Sequence, residues 1–267
     1  MLFDHFIQRC RAEWPEFDDP PKLSKSLHPG NRDLAKVLTR VPGMATENKL
    51  KLLNLAVASL EEGESYVEVG CYKGATLVGA AIGNPTKRLF GCDNFSQFDG
   101  AAASLRHVLA AHTAPGQVLF YDMDFREFLR RGPFRPNTIG AYFYDGGHSF
   151  RDQYHGLSEV LPHLSPDAIV VIDDTNKRAA RAANEMIAKC VPGLDLVLDI
   201  RTPRNHHPTW WNGIQMFRFR RAEETGARRP SNIGYLARKF VYDDIFLNLK
   251  HKRRSFRRNL KHLLHKR

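Results

Sequence analysis

The chain has 267 residues, 42% hydrophobic and 26% charged, with a formal net charge of +11. That length suits one sizeable core with appendages, and no run approaches the roughly 20 apolar residues needed to span a bilayer. Residues 218–267 hold 16 Lys and Arg against 4 Asp and Glu, leaving 24 against 25 elsewhere, so the basic character that would suggest a nucleic-acid partner belongs to a tail. Cys10, Cys71, Cys92 and Cys190 are scattered without a CxxC pair, which excludes the usual zinc and redox motifs and reads as reduced thiols. MLFDHFIQRC lacks the basic-then-apolar pattern of a signal peptide, so the expected location is cytoplasmic.

In chain order, residues 1–45 include DDPPKLSKSLHPGNRD, with three prolines and a glycine, and suit an irregular cap. Thr46 to Leu60 carries Leu50, Leu53, Leu55, Ala56 and Leu60 at helical spacing. Strand-like runs follow at 66–69, 88–92, 117–121, 141–144 and 168–172, with helical stretches at 76–82, 101–112, 125–131 and 150–164 between them, and two more strands at 194–200 and 213–219. Short β-rich runs alternating with helices predict parallel strands joined by crossovers and buried on both faces. The expected fold is a doubly wound, mostly parallel seven-stranded α/β sheet over 46–220, with an N-terminal cap over 1–45 and a basic helical extension over 221–267.

Ligands of such sheets sit beyond the carboxyl ends of the strands. The first strand ends in EVGCYKGAT, where Gly70 and Gly74 permit a tight strand-to-helix turn and close approach of a ligand; Glu68, Lys73 and Thr76 share that turn. The spacing is neither the dinucleotide G-x-G-x-x-G nor the phosphate-loop pattern. Asp93, 25 residues after Glu68 at the next strand end, is placed to accept from ribose hydroxyls. Asp122 follows the third strand and suits an adenine amino group, while Asp124 suits a helix cap. The fourth and fifth strands end in YDGGH and VIDDT, bringing Asp145, His148, Asp173 and Asp174 to one rim. Ionised carboxylates crowded there call for a cation, and a hard divalent ion such as magnesium matches oxygen ligands.

These motifs, spread over residues 66–175, resemble the class I S-adenosylmethionine-dependent methyltransferase superfamily. Within it, DGGH followed 28 residues after Asp145 by the Asp-Asp pair is similar to the metal-dependent O-methyltransferases, and to the macrocin-type, methyltransferase family 24-like branch more than to the catechol type. The VPGMATENKLKLLNLA segment also resembles the entry to that branch. The resemblance implies Asp145, Asp173 and Asp174 as metal ligands and His148, with Asp145, as catalytic groups. It implies in-line attack of an acceptor hydroxyl on the sulfonium methyl, with His148 as general base; an unperturbed imidazole, titrating near ~6.5, is basic at neutral pH. It implies nothing about the acceptor, for which a sugar, phenol or other small molecule or glycoconjugate is expected.

RTPRNHHPTWWNG, between the last two strands, offers Arg201, Arg204, His206, His207, Trp210 and Trp211 as substrate contacts; Gln97, Phe98 and Asp99 are weaker candidates. In the tail, Phe256, Leu260, Leu263 and Leu264 recur at helical spacing among Arg253, Arg254, Arg257, Arg258 and Lys261. Such a basic amphipathic helix suits docking or homo-oligomerisation, or peripheral contact with an anionic membrane. Nucleic acid is the weaker partner, because the fourth strand is followed by DGGH and not by the Asn/Asp-Pro-Pro-Tyr of enzymes that methylate base amino groups. A cofactor-binding fold serving only as an interaction module would have no need of the carboxylates.

Overall fold

The computed structural model describes residues 1–221 except 28, 29, 31, 42, 99 and 100, so Asp99 and the extension beyond Arg221 lie outside the described residues. Four helices lead in: α1 (Phe3–Glu13), α2 (Pro20–Leu23), α3 (Arg32–Arg40) and α4 (Glu47–Ala58). Then come β1 (Ser65–Val69), α5 (Ala75–Ala81), β2 (Arg88–Asp93), α6 (Ala101–His112), β3 (Val118–Asp122), α7 (Phe125–Arg131), β4 (Ile139–Tyr144), α8 (Phe150–Ser158), β5 (Leu164–Asp173), α9 (Arg178–Cys190), β6 (Leu194–Ile200) and β7 (Ile214–Arg220). The sheet order is β3-β2-β1-β4-β5-β7-β6. All pairings among β1 to β5 are parallel, and β7 runs antiparallel to both β5 and β6. This is the expected doubly wound sheet of seven strands.

Its two faces carry separate cores. On one, Leu50, Leu53, Leu77 and Leu105 pack under α4, α5 and α6; on the other, Phe128, Tyr154 and Ile187 pack under α7, α8 and α9. The small residues of α5 have a packing reason: a Cβ on Gly79 would lie 2.9 Å from Leu50 Cδ2, so glycine lets α5 approach α4. β5 begins at Leu164, four residues before the expected 168, and α8 ends at Ser158. Pro162 sits in a 3-10 turn over Leu161–His163, where a ring without an N–H cannot continue the helix.

The N-terminal segment is built into the domain. Trp14 is 1% exposed, donates from Nε1 to Asn48 Oδ1 at 3.0 Å, and lies 5.5 Å from the ring of Trp210. Trp210 in turn donates to the carbonyl of Leu23, and Thr209 to that of Ser24. Among the described residues no helix is long and apolar enough to cross a membrane.

Candidate active site

β1 and β4 are neighbours whose following helices pack on opposite faces, which opens a crevice at their carboxyl ends. A cleft of about 410 Å³ lies there, lined by residues of every loop beyond that rim, including Gly70, Asp93, Asp124, Asp145, His148 and Asp174.

The glycine turn forms its near wall. Gly70 has φ +89°, and a Cβ there would strike the carbonyl of Asp145; only glycine lets β1 and β4 leave the sheet this close together. Gly74, with φ +90°, caps α5 beneath Leu105. Asp93 ties the turn to β2: one carboxylate oxygen accepts from the Tyr72 amide and the other from the Phe95 amide, each at 2.8 Å. Each oxygen keeps a lone pair for a further donor, and Asp93 lines the cleft. Lys73 and Thr76 line a smaller recess on the other side of the turn.

Two acids expected to meet a cofactor are placed elsewhere. Glu68 is wholly buried beneath the turn, accepting from Tyr66 Oη at 2.6 Å and Thr76 Oγ1 at 2.5 Å. Burial pushes its pKa up to about 7 against those two hydrogen bonds. Its period-2 partner Tyr66 points to the same side of β1, which is why the acid faces inward. Asp122 is exposed at the last residue of β3, pairs loosely with Arg106 at 3.6 Å, and does not line the cleft. Asp124 does line it, while also capping α7 through Arg126 N at 2.8 Å.

Beyond β4 and β5 stands a charged cluster. Asp174, in a left-handed conformation with φ +57°, accepts from Lys177 Nζ at 2.6 Å and Asn212 Nδ2 at 2.6 Å, and its Oδ2 lies 2.9 Å from His148 Nε2. Burial would raise its pKa, but the hydrogen bonds and charges of His148 and Lys177 outweigh burial and hold it well below the usual carboxylate range. His148 Nδ1 is shielded and meets no partner. Asp145 is pushed the other way, far above the usual range, by burial and by the charge of Asp173 behind it, against the pull of Lys49.

Asp173 is 1% exposed and accepts from the Nζ of the fully buried Lys49. Of the three expected metal ligands, Asp173 is therefore paired with an ammonium below the rim. Among the described residues, Asp145, His148 and Asp174 offer ligand atoms within 4.8 Å of one another, although Lys177 already occupies one edge of Asp174. In that set a nitrogen joins two oxygens, a mixture less suited to magnesium than to a softer divalent metal.

The loop before β7 supplies the opposite wall. His206 and Trp211 line the cleft with rings 4.8 Å apart. His207 bonds through Nδ1 to Thr209 at 2.7 Å and does not line it. Trp210, expected to meet substrate, is 0% exposed and belongs to the core. Gln97 and Phe98 do line the cleft, Phe98 4.5 Å from Tyr72. Lys49, Lys177 and Asn212 are the residues that sequence reasoning missed. Asn212, two residues before a strand edge at the same rim, was within reach of the topological argument; Lys49 was hidden inside a helical stripe.

The model of a family of methyltransferase domains matches residues 67–175, the stretch from β1 through the Asp173–Asp174 pair. That stretch carries the methyltransferase match, and the fold around it is the Rossmann-like methyltransferase fold. No curated protein matches it, but its fold recurs in solved structures. It is similar to a Klebsiella pneumoniae protein described as an O-methyltransferase, at 17% identity and TM-score 0.56 over 79% of this chain and 100% of the other. An O-methyltransferase from Bacillus cereus in complex with S-adenosylhomocysteine aligns at 16% identity and TM-score 0.55, over 75% and 96%. TomG from Streptomyces achromogenes, involved in tomaymycin synthesis and in complex with S-adenosylmethionine, aligns at 17% identity and TM-score 0.53, over 78% and 99%.

Proposed function

We propose that this protein is a methyltransferase that moves the methyl group of S-adenosylmethionine to a hydroxyl of a small-molecule or glycoconjugate acceptor, a sugar or a phenol, with His148 as general base. The observation that carries this reading is the 2.9 Å contact of His148 Nε2 with Asp174 at the cleft. The Asp174 carboxylate beside His148 stabilises the imidazolium formed when the ring takes a proton; Nδ1 is shielded, so a turn of the ring is what brings a free nitrogen to the acceptor. Lys177 and Asn212 keep Asp174 ionised and aimed for that task.

The bound donor supplies an electrophilic sulfonium methyl that needs no further activation. The chain's residues provide the rest. Gly70, Lys73, Gly74 and Thr76 form the cradle for the donor, and Asp93 accepts from its ribose. His206 and Trp211, facing Phe98 and Tyr72 across the cleft, hold a ring-bearing acceptor by stacking. Alignment of the acceptor oxygen with the methyl carries much of the acceleration, up to roughly 7–11 kcal/mol in the best intramolecular cases.

A second reading, a divalent ion on Asp145, His148 and Asp174, is favoured by the proximity of their ligand atoms. It makes His148 a ligand and takes the base away. Incubating the protein with labelled cofactor against sugar, phenolic and RNA pools, with divalent ion or with chelator, tests both. Label in a hydroxyl-bearing product that survives chelation supports the base reading; label only in RNA overturns both.

A further inference from the structure

One strongly charged group below the rim has no part in that chemistry. Lys49 sits in the first turn of α4, one turn after the cap residue Thr46, where the helix dipole disfavours a cation. Its side chain is fully buried, and burying an ammonium is costly unless a partner compensates. A lysine at that position is thus explained by what it reaches and not by the helix it belongs to. It reaches Asp173 Oδ2, while Oδ1 of Asp173 meets no donor. Burial would lower the lysine's pKa, but the charges of Asp173, Asp145 and Asp174 outweigh burial and keep the ammonium charged.

Charge pairing across the cluster follows. Lys49 answers Asp173 and Lys177 answers Asp174, so two of three carboxylates carry fixed counter-ions from the chain itself. A divalent ion placed among the three would be opposed by both ammonium groups, most strongly by the fully buried Lys49 and less by the partly exposed Lys177.

We propose that Lys49 is a built-in counter-ion that takes the place of a divalent metal at this rim, so that Asp173 anchors Lys49 and methyl transfer proceeds without a metal. Lys49 is a positioning residue: it fixes Asp173 and the floor of the cluster and does not touch the acceptor. The proposal rests on the methyl-transfer reading for its consequence in catalysis, but its charge argument can be read without turnover.

The test is calorimetric titration of Mg²⁺ and Mn²⁺ into the full-length protein, into Lys49→Met, and into a Lys49→Met, Asp173→Asn double variant that removes both charges and so leaves no unpaired group. The wild type is expected to show no saturable binding, Lys49→Met to gain a one-ion site at least about tenfold tighter, and the double variant to lose it again. Should Lys49→Met fail to fold alone, its recovery of a folded near-ultraviolet spectrum on adding Mn²⁺, absent for Mg²⁺-free buffer and unneeded by the double variant, gives the same answer. Saturable one-ion binding to the wild type overturns the proposal, as does a Lys49→Met protein that binds ions no better than wild type or is not rescued by them. Once an acceptor is in hand, turnover unchanged by chelator is expected, and a fall of about tenfold or more overturns it; absence of any acceptor would count against the methyl-transfer reading and leave the calorimetric result standing.

Discussion

Replacing Glu68 by glutamine separates a structural acid from a cofactor ligand. In the folded chain the Glu68 carboxyl titrates at about 7, raised from 4.5 chiefly by burial. Between those two values the folded protein holds a proton that the unfolded chain has released, so stability falls as pH rises through the window, and the loss is complete above about 7. The span corresponds to about 3 kcal/mol. Glutamine is uncharged at every pH, and Tyr66 and Thr76 can turn their hydroxyls to accept from its amide. The assay is urea unfolding of both proteins from pH 5 to pH 8, taking the difference at each pH so that other titrating groups cancel. The variant should gain on the wild type by about 3 kcal/mol across the window, with labelled-cofactor binding near wild type. Parallel pH profiles would refute the buried-acid argument, and loss of cofactor binding at unchanged stability would return Glu68 to the ligand set.

His148→Ala should lower turnover by about 10²–10⁴-fold, the usual contribution of a positioned base, while isothermal titration with S-adenosylhomocysteine stays near wild type; an active variant removes His148 from the chemistry. The two neighbouring tryptophans should part company. Trp210→Ala should cost about 3–5 kcal/mol in denaturant unfolding, as for a large core side chain, whereas Trp211→Ala should raise the acceptor KM with an unfolding midpoint close to wild type; the opposite pattern would reverse their assignments. Gly70→Ala should destabilise the fold and abolish cofactor binding, because the new Cβ meets the Asp145 carbonyl and φ +89° disfavours any side chain; a crystal-quality, cofactor-binding Ala variant would show that the β1–β4 approach tolerates more than it should.

How much of this was written in the sequence differs by element. The strands of the sheet were legible because doubly buried strands are continuous apolar runs, and all seven ended within a residue of where residue type alone put them. β5 was legible only in its AIVVI: its first residues, Leu164 to Asp167, include an exposed proline and an aspartate, and join the strand because Leu164 pairs with Ile139 of β4 and β7 pairs from Asp167 onward. The acids at the strand ends were legible as a set, but not their individual partners. Asp173 is the last residue of β5, and Asp174 leaves the strand in a left-handed conformation, so the two side chains part company. Asp174 turns to the cleft and Asp173 away from it, under α4. Which of the two faces the cleft is set by that turn, and the Asp-Asp spelling conceals it.

Strand alternation places Glu68. Tyr66 and Glu68 share a face, and the face under α5 is core. In TWWNG a single step along the chain exchanges the core for the cleft, so of two identical side chains one anchors α2 through Leu23 and the other faces His206. What brings Asn212, His206 and Trp211 to the site at all is the one antiparallel strand. Were β7 parallel to β5, the connection from β6 would have to cross to the opposite rim before entering it. Running antiparallel, β7 starts at the rim where β5 ends, with Ile214 opposite Asp173, and the chain just before it passes over Asp174. Asn212 then reaches Asp174 Oδ1 while Lys177 and His148 take Oδ2. The acid is held from three elements, so the geometry of the His148 pair depends on a strand whose direction no local motif in the methyltransferase region specifies.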